Sequence, residues 1–298
     1  MPPAFSKNDQ SLHNGSLNAG NCDLTYSKSS FVLIMLKKFS SFNEIYFILF
    51  FMKTKTNFEN EELQNRLDLA AAYHLADIYG FSDIIWNHIT CKTSSNKNTF
   101  LINKFGLRYD EVTASNLLEI DLDGNIISGQ GEINYTGFVI HGAIHKDRKD
   151  LHCVMHSHSR SGLAVSCLKD GLEILIQDSA MFHNRISYHD WQGMSTNTEE
   201  CDSISKDLGK NNSMILRNHG LLTCGKTISE AFMLMYYLDR ACKVQIDLNA
   251  TNKEIIKPSD NILEFAAGQY EDPKYKLGDH EWPALKRMLK KNNSIYDQ

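Results

Sequence analysis

The stretch Cys153-Val154-Met155-His156-Ser157-His158-Ser159-Arg160, CVMHSHSR, places two imidazoles two residues apart directly after an apolar run. In an extended chain side chains alternate between faces, so His156 and His158 share one side of a strand while Ser157 faces away. Two rings so placed can share one cation. Zinc takes nitrogen ligands at about 2.0–2.1 Å, and a catalytic zinc site uses three protein ligands and keeps one position open. Taken alone, the pair reads more readily as hydrogen-bonded core rings, because so short a motif recurs by chance. A third ligand has to come from elsewhere, and His219 is the best candidate. It stands at the end of the apolar run in LRNHGLLTCG, where Gly220 lets the backbone turn away.

The pattern around this block is that of a mixed α/β domain. Leu63, Leu67, Ala70, Ala71, Leu75 and Ile78 recur at helical spacing, and Gly80 sits where a left-handed terminator belongs. Asp123-Gly124, between LLEIDL and NIIS, predicts a two-residue hairpin. A second helix is predicted over Phe138 to Lys149, LHCVMHSH is predicted as a buried strand, and SMILRNHGLLTCG as a strand pair around a turn. Thr227 to Glu230 reads as a capping box opening a helix through EAFMLMYYLDRACKVQIDL, whose methionines and aromatics point to core packing. The tail GDHEWPALKRMLKKNNSIYDQ predicts a short basic amphipathic helix, better suited to a solvated face or a subunit contact than to a membrane. These readings place one domain over residues 58–250 and a helical tail over 251–298.

Charge and cysteine content narrow the function classes. The 298 residues carry 31 basic and 36 acidic side chains, net −5, without long single-sign blocks, which argues against a nucleic-acid partner. Seven cysteines with no C-x-x-C pair suggest neither a disulfide framework nor a zinc ribbon, and a reducing cytoplasm is the expected compartment. Residues 1–57 combine a polar, aperiodic stretch with the apolar runs FVLIM and IYFILFFM, both far short of the roughly 20 residues that span a bilayer. They read as a disordered or mis-assigned extension. Met1, Met35 and Met52 are alternative starts, and the change to amphipathic sequence after Met52 favours that one.

GFVIHGAIHKDRKDLHCVMHSHSRSGLAVS, ILRNHGLLTCGKTISEAF and FLINKFGLRYDEVTASNL together resemble the class II aldolase/adducin N-terminal domain family over roughly residues 60 to 250. The resemblance implies a three-layer α/β/α sandwich around a mostly antiparallel sheet, often assembled as a homotetramer with active sites at subunit boundaries. It also implies a divalent ion, usually Zn2+, on His156, His158 and His219. Such an ion would stabilise the enediolate of a small hydroxy-carbonyl, sugar-phosphate-like substrate. The family's aldolases carry a proton-transferring glutamate at the position that here is Gly137, which cannot move a proton. In place of their preceding serine pair stand Tyr135 and Thr136, of which only Thr136 keeps a hydroxyl of similar reach.

Other carried-over positions have structural readings beside the functional ones. Asn87 and the turn Asn103-Lys104-Phe105-Gly106 resemble the family's two substrate-phosphate loops, although turn chemistry explains Asn87 and Gly106 equally well and a lysine such as Lys104 is more often simply solvated. Asp178 lies near a catalytic glutamate of the family's dehydratases, with a helix cap as the competing reading. Tyr188, His189 and Asp190 lie where relatives donate groups toward the site. His141 and His145 are expected to pack or to support the ligands. The expected function is therefore a zinc-dependent lyase or dehydratase, with Asp178, Tyr188 or water moving the proton. The alternative is an adducin-head-like oligomeric binding module of cytoskeletal, actin-related character.

Overall fold

The computed structural model describes the backbone of residues 42–193 and 199–298, and side chains from residue 60 onward apart from 136 and 194–202. Of the expected extension, residues 1–57, the part up to residue 41, with the starts at Met1 and Met35, lies outside the described residues, while 42–57 are helical rather than irregular. The chain divides into two compact units, Met1–Thr54 and Lys55–Gln298. No helix among the described residues is long and apolar enough to cross a membrane.

Helix α1, Phe42–Ile78, ends as its sequence predicts. Gly80 adopts φ +77°, and the Phe81 N–H donates to the Ala76 carbonyl at 2.8 Å, a bond that closes a left-handed cap. The stripe is narrower at its ends than the spacing suggests, for Leu63 and Ile78 are exposed. From Leu69 to Ala76 every side chain is buried, so the helix is surrounded by protein there.

Eight strands follow in one sheet: β1 Ile89–Lys92, β2 Thr99–Ile102, β3 Leu118–Asp121, β4 Ile126–Ser128, β5 Cys153–Ser157, β6 Ile186–His189, β7 Ser213–Leu216 and β8 Gly220–Gly225. Their spatial order is β4-β3-β2-β1-β5-β8-β7-β6, and every pairing is antiparallel except β6 with β7. The mostly antiparallel mixed sheet expected from the resemblance is thus present. The β3–β4 turn differs from the predicted hairpin. Asp121 pairs with Asn125 across a three-residue loop, Gly124 takes φ +84°, and the Asp121 carboxylate accepts the N–H groups of Asp123 and Asn125. That side-chain acceptor favours the longer loop over the two-residue form.

Helices cover both faces. On one lie α1, α3 (Arg160–Ser166) and α5 (Ile228–Ala250), and on the other α2 (Tyr135–Asp147) and α4 (Glu199–Leu208). The alternation of β5 shows why. Cys153 and Met155 join the cluster built on α1 and α5, while Val154 joins Ile140 and Ile144 of α2 and Leu208 of α4. His156 has the parity of Val154 and therefore faces the α2 side. Helix α2 begins at Tyr135, three residues before the predicted start. Helix α5 opens where predicted, with Thr227 Oγ1 accepting the Glu230 N–H at 3.1 Å, but the box is only half formed, because the Glu230 carboxylate accepts the N–H of Lys226 rather than that of Thr227. The C-terminal segment carries α6 (Asp260–Tyr270) and α7 (Glu281–Lys291), and it buries Trp282, Leu289 and Tyr296 in the α1/α5 core. Burial of three such side chains contributes roughly 1.5–3 kcal/mol each, so this segment is part of the domain rather than an appendage.

Candidate metal centre

Strand β5 delivers His156, the residue just past its end delivers His158, and the tight β7–β8 turn delivers His219. In that turn Asn218 takes φ +57°, its N–H donates to the Ser166 carbonyl at 3.1 Å, and the His219 N–H donates to the Leu216 carbonyl at 3.0 Å. Gly220 follows at φ +152° because β8 passes hard against β5. A Cβ there would stand 2.4 Å from the Ser157 carbonyl oxygen and 3.3–3.4 Å from the rings of His158 and His156.

One potential ligand atom from each of the three rings lies within 4.8 Å of the others. The hydrogen bonds assign the tautomers. His156 Nδ1–H donates to the Leu221 carbonyl at 2.9 Å, and His158 Nδ1–H donates to Asp83 Oδ2 at 2.9 Å. Both Nε2 atoms then carry lone pairs, yet they stand 2.9 Å apart. Two bare lone pairs at that separation repel unless a cation lies between or beside them. Burial, then the neighbouring rings of His219 and His158, holds His156 well below the ordinary imidazole range, and burial lowers His219 to about 4. Rings oriented by an acceptor at the far nitrogen, as His156 and His158 are, suit a divalent ion. The donor set fits the metal implied by the sequence.

Gly137 is occupied space rather than a gap. A Cβ at this position in the first turn of α2 would stand 2.7 Å from Cγ, Nδ1 and Cε1 of His88. His88 is 3 % exposed, its ring centroid is 5.7 Å from that of His156, and its Nε2 has no partner. Nδ1 lies 3.4 Å from the Trp86 carbonyl, a long contact that leaves Nε2 as the lone-pair nitrogen. Burial lowers its pKa to about 4. Sequence reading missed His88 and Asp83. The run WNHIT offered the histidine but no spacing that tied it to Gly137, and Asp83 meets His158 only through folding.

The remaining candidates are dispersed. Asn87 is buried and donates to the Phe81 carbonyl at 2.9 Å, with Oδ1 unpartnered. Gly106 sits in an exposed turn at φ +91°, and the Lys104 stem lies where a side chain on Gly131 would be. These loops meet near the start of α2: Trp86 and Phe105 rings are 5.6 Å apart, the Phe105 N–H donates to the Glu132 carbonyl, and Asn134 donates to the Trp86 carbonyl. Thr136 is in α2, and its side chain is outside the described residues. Asp178 lies in the first turn of a 3-10 helix, Gln177–Phe182, 3.4 Å from Arg240. Tyr188 accepts the Leu172 N–H at 3.1 Å under the Arg217 guanidinium. Neither has a recorded contact with the three imidazoles. His189, beside Tyr188, bonds Asp207 at 2.7 Å and is close enough to His219 to help lower its pKa, while Asp190 meets Arg217. His141 and His145 are buried, as expected of packing or supporting groups, and both contact Thr90.

Comparison with known proteins agrees with this architecture. The model of the Class II Aldolase and Adducin N-terminal domain matches residues 67–246. A Pseudomonas aeruginosa protein named as an aldolase class 2 protein is 41% identical over 242 residues, covering 80% of this chain and 93% of its own length. Rat alpha-adducin is 38% identical over 244 residues, covering 75% of this chain and 32% of the adducin. Among solved structures, an aldolase II superfamily protein from Pseudomonas syringae superposes with TM-score 0.75 at 39% identity, covering 79% of this chain and 96% of the other. L-fuculose 1-phosphate aldolase from Glaciozyma antarctica superposes with TM-score 0.71 at 28% identity, over 80% and 94%. With the family model covering more than half of its residues and the same sheet and helices around the histidine strand, this chain belongs to the class II aldolase and adducin N-terminal domain family.

Proposed function

We propose that the protein is a metal-dependent lyase of this family acting on a small hydroxy-carbonyl compound, with His156, His158 and His219 holding one divalent ion, zinc by preference. The supporting observation is the pair of lone-pair Nε2 atoms 2.9 Å apart, each ring fixed by an acceptor at its other nitrogen. When bound, the ion supplies Lewis acidity that stabilises negative charge on the oxygens of an enediolate. His88 takes the proton-handling position left without a side chain at Gly137, its free Nε2 accepting a proton from the substrate and returning it. In the lyase direction the β-hydroxyl gives up its proton, the bond between the α- and β-carbons breaks with its electron pair left on the α-carbon, the β-carbon fragment leaves as an aldehyde, and the proton is returned to the α-carbon. This reading sets His88 ahead of Asp178 and Tyr188, which are engaged by Arg240 and by the Leu172 N–H. Lys104, Asn87, Gly106 and Thr136 serve the anionic end of the substrate, a role supported by the meeting of their loops beside α2. A cytoplasmic homotetramer is the proposed working form.

The rival reading is an adducin-head-like binding module with actin-related partners, favoured by Gly137 and by the 38% identity to alpha-adducin. Metal analysis of the purified protein and a panel of sugar phosphates and hydroxy acids separate the two. The enzyme reading expects about one zinc per chain, lost in His219→Ala without unfolding, and metal-dependent turnover lost with it. Turnover that survives removal of all three histidines sinks the proposed centre. A metal-free, inactive protein that co-sediments with actin supports the rival.

A further inference from the structure

A second polar cavity, of about 120 Å³, opens on the far side of β1 from the α1/α5 core, with Lys92, Ser95, Lys97, Phe100, His145 and Lys149 among its walls. Its charge is not balanced. Lys97 is taken by Glu62 at 3.2 Å and Glu119 at 3.4 Å. Lys92 and Lys149 have no ion-pair partner recorded among the described residues. Lys92 Nζ donates instead to the Lys149 carbonyl at 2.7 Å, and the nearby Asp150 is held by Arg148 at 2.8 Å. A buried polar atom points to what is missing. His145 is 2 % exposed, lines the cavity, and leaves Nδ1 with no hydrogen-bond partner. An unpaired buried donor or acceptor is costly, which makes it a marker for a bound partner.

We propose that this cavity is a binding site for a small oxyanion, phosphate or the phosphate end of a monoester, held by Lys92, Lys149 and the Nδ1–H of His145. The volume exceeds the roughly 30 Å³ share of one water several-fold, enough for a tetrahedral anion. The hydrogen-bond geometry supplies a consequence. Thr90 Oγ1 lies 2.8 Å from both His145 Nε2 and His141 Nδ1, and its single proton goes to one of them. An anion that accepts from His145 Nδ1–H leaves Nε2 bare, so Thr90 donates to His145 and accepts from His141 Nδ1–H. His141 Nε2 is then bare as well, in a ring whose centroid is 4.2 Å from that of His88. Occupancy thereby sets the direction of a row of hydrogen bonds that ends beside the histidine centre. The site stands on its own residues and does not depend on the lyase reading.

The test uses full-length protein carrying His219→Ala, so that phosphate bound at a metal centre does not contribute. Inorganic phosphate and glycerol phosphate are titrated separately by calorimetry, with the His145 ring nitrogens followed by 15N NMR. Saturable binding is expected, with protonated Nδ1 in the bound form, and affinity falling about 10-fold or more in Lys92→Met/Lys149→Met and in His145→Phe. Tighter binding of the monoester assigns the site to a phosphorylated ligand, and equal binding assigns it to the free ion. A Lys290→Met control, on the distant α7, is expected to leave affinity unchanged. The proposal is overturned if no saturable binding is seen, or if the control weakens binding as much as the cavity variants. It is also overturned if stably folded cavity variants bind as the parent does.

Discussion

The ring of His88 fills the space above Gly137: a Cβ on residue 137 would stand 2.7 Å from three of its atoms, closer than carbon atoms approach without displacement. The two positions share one volume: the imidazole, carried just before β1, occupies the space that a side chain on α2 would take.

That relationship reverses an ordinary sign. In an open helical position Gly→Ala stabilises by roughly 0.5–1 kcal/mol. Here Gly137→Ala is expected to destabilise by about 1–3 kcal/mol, because the ring has no room to retreat. The combined His88→Ala/Gly137→Ala change is expected to recover at least the clash. Urea midpoints of the four proteins form the cycle, and additive effects would show that the two positions do not share space.

Asp83 is the acceptor that orients His158. Asp83→Ala is expected to lower zinc affinity by about 10–100-fold, the usual effect of removing a partner that fixes a ligand's tautomer and ring orientation. The metal-free protein should melt near the parent temperature, since the carboxylate is half-exposed and an exposed pair of this kind contributes at most about 1 kcal/mol. Competition with a chromophoric chelator measures the first and calorimetry the second. Unchanged zinc affinity would remove Asp83 from the site.

Gly220→Ala is expected to be the most damaging single-methyl change near the centre. Its φ of +152° is poorly accessible to other residues, and the added carbon would meet the Ser157 carbonyl at 2.4 Å. Forcing β8 from β5 separates His219 from His156, so the variant should lose zinc and several kcal/mol of stability together. A crystal structure of this variant with the turn unmoved would contradict the account.

The sequence carried the parts of this site that obey local rules. Period-two geometry put His156 and His158 on one side, Gly220 marked the turn that brings His219, and Gly80 and the Thr227 side-chain cap ended and began their helices where expected. Exchanges between distant segments have no such periodicity. His88 against Gly137 and Asp83 against His158 are separated by 49 and 75 positions, and each is defined only by how β1 and the turn after α1 lie on β5 and α2. The same limit applies to Asp178 and Tyr188, whose types suit proton transfer: their contacts, with Arg240 and the Leu172 N–H, follow from the fold and not from local pattern.

Protonation of the buried rings gives the last expectation. Burial lowers His88 and His219 to about 4 and His145 to about 3, against an ordinary value near 6.5 in the unfolded chain. Between pH 6.5 and about 4 the unfolded chain binds protons that the fold refuses, so stability falls as the pH falls through that window and is fully present above it. These three rings together should remove roughly 4 kcal/mol from the metal-free protein between pH 7 and pH 5.5. On the proposed reading, zinc would bind the neutral ligands and flatten the upper part of this slope, until competition from protons releases it. Urea unfolding across the pH range, with zinc and with a chelator, reads both effects. A metal-free protein whose midpoint stays level from pH 7 to pH 5 would mean that the rings accept protons in the folded state, and that water reaches the histidine row.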